Sequence, residues 1–185
     1  MTEQDLWIDD TPLPSLSHIR AESVSLKAHS GLGLVMIDYV QLVKGAGNNR
    51  YEELRDVAYG LKALAKNLAV PIVVLAQLNR NVEARDQKRP NLSDLRNSGA
   101  IEEAADIVGM LYRESHYHQN CSMPDVLECQ IEKNRNGELH VRVLPHRPIP
   151  VNHERQQSGI LNRRRQLRAT RRALTNQQDL RLSTP

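Results

Sequence analysis

Leu32 to Val43 is nearly all apolar, interrupted only by Gly33, Asp38, Tyr39 and Gln41. Such a run predicts a buried strand with polar groups toward its C-terminal end. From Tyr51 to Leu68 the period changes: Leu54, Val57, Ala58, Leu61, Leu64, Ala65 and Leu68 fall on one face of a helix. Val70 to Ala76 is apolar again and ends at Gln77, predicting a second buried strand. Ile107–Tyr112 and Val126–Glu132 predict a third and a fourth. Asn136-Gly137 then favours a hairpin, with Leu139, Val141 and Val143 alternating along a return strand. Upstream, Leu6-Trp7-Ile8 is a short apolar run stopped by Asp9-Asp10-Thr11-Pro12. Ser15 or Ser17 can cap a helix whose apolar positions are Ile19, Val24 and Leu26, ending near His29-Ser30-Gly31. Lys44–Arg50 reads as a polar loop, and 79–91 as a charged loop without a hydrophobic stripe. Ser93-Asp94 can open the next helix, which Gly99 interrupts.

Strands separated by helices argue for an α/β fold with a parallel, doubly wound sheet and ligands at the C-terminal strand ends. Asp38, Gln77, Arg113, Lys133 and Arg135 are the polar residues expected there. Composition agrees with that class. With no Phe, one Trp and five Tyr, the core must be aliphatic, as in sheets covered by helices on both faces. Cys121 and Cys129 make neither a disulfide framework nor a four-ligand zinc site, and the seven His lack metal-ligand spacing. No apolar run approaches the roughly 18–20 residues that span a bilayer, so no membrane partner is expected. The acidic N-terminus does not read as a signal peptide, which makes the cytoplasm the expected compartment. The net charge of +3 is uneven: residues 151–185 hold eight Arg against Glu154 and Asp179. A domain over residues 1–145 and an Arg-rich tail over 146–185 are therefore expected.

The strand ends carry the candidate chemistry. Leu34-Val35-Met36-Ile37-Asp38 has the form of a Walker B strand, whose acid holds Mg²⁺ in nucleotide-hydrolysing folds. Asp at a strand end is also a common helix cap or salt-bridge partner. Gln77 is placed to sense a γ-phosphate, or simply to satisfy its own strand end. Lys133 and Arg135, two apart on an extended segment, point the same way and suit either an arginine finger supplied in trans or a solvated basic hairpin.

The joint order and spacing of WIDDTP, GLGLVMIDYVQLV, YEELRDVAYGLKALAKNLAVPIVVLAQLNR, KRPNLSDLRNSGAIEEAADIVGMLYR and IEKNRNG, from Leu6 to about Gly137, resemble DnaB-type replicative DNA helicases. The similarity lies in their C-terminal RecA-like motor domain. It implies a partial P-loop NTPase sheet of parallel core strands with flanking helices and a C-terminal hairpin. It further implies ATP with Mg²⁺ as cofactors, single-stranded DNA as partner, and a hexameric ring of this chain or of complete helicase subunits. By the same resemblance, Asp38 is the Walker B acid that holds Mg²⁺ in a partial site. Gln77 couples nucleotide state to DNA. Lys133 and Arg135 reach the adjacent subunit's nucleotide, with Arg135 as the finger. Arg96, Asn97 and Gly99 fall in the loop that holds the DNA backbone; the family usually has an acid where this chain has Asn97. Residues 79–88 lie near the ring's central channel.

The sequence contains no GxxxxGK[ST]; Gly45-Ala46-Gly47 lacks the Lys-Ser/Thr, and the family's catalytic Glu has no counterpart. A motor without these parts lacks the cradle for β- and γ-phosphates. An alternative is therefore a catalytically inactive remnant that binds DNA or a complete helicase ring. The tail, with Ile160, Leu167 and Leu174 at heptad spacing among its Arg residues, reads either as a helix docking on nucleic acid or as a disordered extension. The 185 residues alone are expected to hydrolyse no ATP. A DNA-stimulated ATPase in the purified chain, abolished by Asp38→Asn, contradicts this.

Overall fold

The computed structural model describes residues 5–118 and 120–145. The chain divides into two units: Thr11–Arg147, and a second to which Asp5–Asp10 belongs. The tail expected over 146–185 lies outside the described residues.

Within Thr11–Arg147 the first helix, α1 (Leu16–Ser30), is capped by Ser15, whose hydroxyl accepts the His18 N–H at 3.2 Å. It ends at Gly31, whose φ of 77° lies in the region that glycine adopts without steric cost. The buried side is lined by Leu16, Ile19 and Ser23, whereas Val24, expected on it, is exposed. The longest helix, α2 (Arg50–Leu68), is capped by Asn49 and stops at Ala69 in the left-handed conformation. Its stripe Leu54, Val57, Ala58, Leu61, Leu64 and Leu68 is buried, as the periodicity predicts. Gly60 lets α1 approach, since a Cβ there would collide with Leu16 Cδ2.

Strand β1 (Val35–Ile37) pairs in parallel with β2 (Ile72–Val74), with α2 as their crossover. Both are shorter than the apolar runs suggest. After Ile37 the chain leaves the sheet and continues as a 3-10 turn, Val40–Leu42, so Val40 and Val43 are buried as turn residues. Hydrophobicity alone cannot separate a buried turn from a buried strand. Nor are the two strands buried on both faces. Val35, Ile72 and Val74 pack on α2's core, while Leu34, Met36, Val73 and Leu75 are exposed.

The second sheet departs from the parallel expectation. β3 (Ile107–Tyr112), β4 (Val126–Asn134) and β5 (Val141–Pro145) form an antiparallel meander in the order β3-β4-β5. Among the described residues, the connection from β3 to β4 holds only a short 3-10 turn, Glu114–His116, and antiparallel neighbours need no helical crossover. The hairpin expected at Asn136-Gly137 joins β4 to β5. Two short helices complete the unit, α3 (Asn81–Ala84) and α4 (Gly99–Ala104), the latter preceded by a 3-10 turn, Leu92–Ser98. The expected loop at 79–91 therefore contains α3, and Val82 supplies the buried contact that the charge-rich sequence hid.

One aliphatic core links α1, α2, β1 and β2. Ile37, Val40, Val43, Leu54, Val57 and Leu61 form one cluster and Leu64, Leu68 and Val70 another, with Ile19, Val35 and Ile72 touching both. Leu64 is 1% exposed, so truncation leaves a cavity that its rigid neighbours cannot close. Leu64→Ala should lower unfolding stability by about 3 kcal/mol. A urea titration showing an unchanged midpoint contradicts the assignment of Leu64 to the core.

Candidate functional site

The parallel strands end in the first group of candidate residues. Asp38 follows β1 directly and is exposed, and its peptide bond to Tyr39 is cis. The chain stays attached to β2 beyond it: the Leu75 N–H donates to Ile37 O and the Val40 N–H to Leu75 O, both at 2.9 Å. Gln77 is then held by a residue the sequence did not single out as functional. The Gln41 amide donates from Nε2 to Gln77 O at 3.2 Å and accepts the Gln77 N–H on Oε1 at 3.3 Å. A side-chain amide thus replaces a missing ladder rung. Arg50 in turn donates to Gln41 O at 2.5 Å and pairs with Glu53 at 2.8 Å. Asp38 and Gln77 are therefore brought to one end of one sheet. Asp38 offers a single carboxylate, and no group of three His, Cys, Asp or Glu that could hold a metal occurs among the described residues. One carboxylate suits Mg²⁺ only where phosphates and water complete its shell.

Arg113, Lys133 and Arg135 do not join that end. They belong to the antiparallel sheet, where β3 pairs Ile107 with Asn134. Lys133 and Arg135 thus lie at the start of β3 and Arg113 past its end, which corrects their expected placement at one parallel edge. The direction shared by Lys133 and Arg135 is visible in their contacts. Lys133 Nζ donates to Glu102 O at 2.6 Å and Glu103 O at 3.3 Å, carbonyls in the last turn of α4. Arg135 donates from Nη2 to the same Glu103 O at 3.3 Å, and from Nη1 to Asp106 Oδ1 at 3.2 Å. Its backbone N–H donates to Asp106 O at 2.9 Å. Two cations are thereby seated on the negative end of a helix, where unpaired carbonyls favour them. Asp106 also takes Lys62 of α2 on its other oxygen. The Lys62 hydrogen bond, with the charges of Lys62 and Arg135, holds the Asp106 carboxyl below the usual range.

Gly99 joins the turn Leu92–Ser98 to α4 in ordinary helical conformation, and a Cβ there would meet nothing within 4 Å. Arg96 and Asn97 fall on that turn, and their side chains lie outside the described residues. The turn is opened by Asn91, not by Ser93: Asn91 Oδ1 accepts the Ser93 N–H at 3.0 Å, and Asp94 Oδ2 accepts the Asn91 N–H at 2.8 Å. Asp94, 8% exposed, is paired with Arg85 through both oxygens, at 3.0 and 2.8 Å. Arg89 ties the same loop to β4 by a forked pair with Glu128 and lies 4.4 Å over the Tyr112 ring. That hydrogen-bonded pairing pushes the Arg89 guanidinium up and the Glu128 carboxyl down.

Residues 1–148 match the family model of the DnaB-like helicase C terminal domain. The chain is 46% identical over 140 residues to the replicative DNA helicase DnaB of Geobacillus stearothermophilus. It is 44% identical over 140 residues to the replicative DNA helicase DnaC of Bacillus subtilis (strain 168). Each match covers 74% of this chain and 31% of the relative, so the chain spans about a third of these curated relatives. Among solved structures, a DnaB-like replicative helicase, in a structure describing its interactions with primase, is similar at TM-score 0.69 and 36% identity, over 73% of this chain and 33% of that one. A second solved structure, of an ATPase domain, is similar at TM-score 0.67 and 37% identity, over 71% and 48%. The partial RecA-like fold expected from the sequence is the fold of these neighbours.

Glu128 sets an acid limit. Its carboxyl is lowered in the folded chain by Arg89, so the contribution of that pair is complete above the unfolded value near pH 4 and is lost as pH falls through the folded one. Melting temperature should be flat above about pH 5 and fall below about pH 4, and Glu128→Gln should shallow that fall. An acid limb unchanged in the variant contradicts a folded-state Arg89–Glu128 pair.

Proposed function

This chain belongs to the family of DnaB-like helicase C-terminal domains, and from that premise we propose that it serves as a motor-domain segment of a ring-forming, ATP-dependent replicative DNA helicase. In this reading its main role is toward a neighbouring subunit. Lys133 and Arg135 reach the γ-phosphate of ATP bound next door, where a guanidinium neutralises charge developing on the transferred phosphoryl group. Asp38 would contribute one carboxylate to a Mg²⁺ site that phosphates and water must complete, where the metal would neutralise phosphate charge, and Gln77 reports the nucleotide state. Arg96, Asn97 and Gly99 hold the backbone of single-stranded DNA. Backbone contacts carry no sequence information, which suits a motor that must step along any strand.

The observation that carries this reading is the seating of Lys133 and Arg135 on one carbonyl, Glu103 O. The two cations stand together at the turn end of the β4–β5 hairpin, with the Arg135 side chain 50% exposed. A solvated basic hairpin has no need to hold two cations side by side.

Complementation in trans tests the proposal. A complete family helicase whose own finger arginine is replaced by Ala should regain DNA-stimulated ATPase when this chain is added. Arg135→Ala should abolish the rescue, since such a finger is worth roughly 10³-fold or more in turnover. Absence of rescue by the wild-type chain, at concentrations where the two proteins co-sediment, overturns the proposal.

A further inference from the structure

We infer that Asp106 is a positioning residue for the Lys133–Arg135 pair, fixing the direction in which the Arg135 guanidinium is presented. The inference rests on the reading of that pair as the group that reaches a neighbour's nucleotide. Nothing in the strand-end chemistry points to Asp106, which lies between α4 and β3.

Three contacts grip Arg135 at different points. Its backbone N–H is fixed to Asp106 O at 2.9 Å, Nη1 to Asp106 Oδ1 at 3.2 Å, and Nη2 to Glu103 O at 3.3 Å. The two side-chain acceptors belong to residues three apart in the chain, so together they set the guanidinium plane as well as its position. The second carboxylate oxygen of Asp106 is taken by Lys62, which projects from the rigid helix α2. Lys62 keeps the carboxylate from rotating to chelate Arg135 with both oxygens. A guanidinium has five N–H donors in a planar fork, and these contacts engage one on each Nη, which leaves donor capacity for an external anion. Lys133 is held in the same manner, with two contacts for three ammonium donors.

Stability is the weaker alternative role. The Asp106 and Arg135 side chains are 48% and 50% exposed, and pairs so exposed contribute little to folding. Direction matters more. A group acting on a transition state loses on the order of 100-fold in rate when misplaced by about 1 Å.

The test is the same complementation, with the full chain carrying Asp106→Asn or Asp106→Glu. With wild-type chain restoring ATPase, Asp106→Asn should lower kcat roughly 10- to 100-fold and leave the KM for ATP unchanged, the pattern of an interaction used only in the transition state. Asp106→Glu should recover part of the loss, and the melting temperature of both variants should match wild type. Rescue by Asp106→Asn equal to wild type, while Arg135→Ala fails, overturns this inference alone. Failure of the wild-type chain to rescue sinks the underlying reading and the inference with it. A measurement without any variant guards against misfolding. Nitrogen NMR of the wild-type chain should show two distinct Arg135 Nη signals from hindered rotation, and a single averaged signal overturns the grip.

Discussion

The buried stripe of α2 is the constraint on which the rest of the unit depends. Leu54, Val57, Leu61, Leu64 and Leu68 face a core shared with α1, β1 and β2. Because the helix is the crossover between the parallel strands, burying that stripe also sets where β1 and β2 end, and hence where Asp38 and Gln77 stand. The polar side of the same helix reaches α4. Tyr59 donates to Glu103 Oε2 at 2.9 Å, and Lys62 pairs with Asp106. One amphipathic helix thus fixes two chemically distinct regions.

Those regions differ in what holds them. At the β1–β2 end the means is neutral: the Gln41 amide substitutes for a strand rung and places Gln77 by geometry alone. At the α4 end it is ionic, with cations on helix carbonyls and on Asp106. Exposed ion pairs are worth about 0–1 kcal/mol, so the second arrangement orients side chains more than it stabilises the fold. The loop between them follows another rule. Asp94 is nearly buried, and the two-oxygen Arg85 pair is what makes a buried charge tolerable there. Charge-rich sequence in residues 79–91 therefore encodes a fixed loop, pinned at Asp94 and again at Glu128.

Much of this fold was legible because its signals are local. The 3.6-residue period gave α2 to within one residue of its start, Ile107–Tyr112 is a strand over its expected span, and Asn136-Gly137 marks a hairpin. What was not legible depends on partners distant in sequence. The antiparallel pairing of β3 with β4 has no signature in either strand alone, and it moved Lys133 and Arg135 to the opposite end from Arg113. Val40 and Val43 are apolar for the core yet sit on a turn, which lengthened the expected first strand. Of the candidate site, the acid and amide at the β1–β2 end were readable from strand-end position. Gln41 and Asp106 were not, because a Gln inside an apolar run and an Asp after a helix gain meaning only from Gln77 and Arg135, 36 and 29 residues away.

The central claim, that this chain directs Lys133 and Arg135 at a neighbour's nucleotide, is tested most directly by a structure of the chain assembled with a P-loop-bearing subunit, single-stranded DNA and a non-hydrolysable ATP analogue. Arg135 should stand at hydrogen-bond distance from the γ-phosphate, with its contact to Asp106 retained. A hairpin facing solvent in the assembled ring, with Arg135 on Asp106 and Glu103 alone, contradicts it.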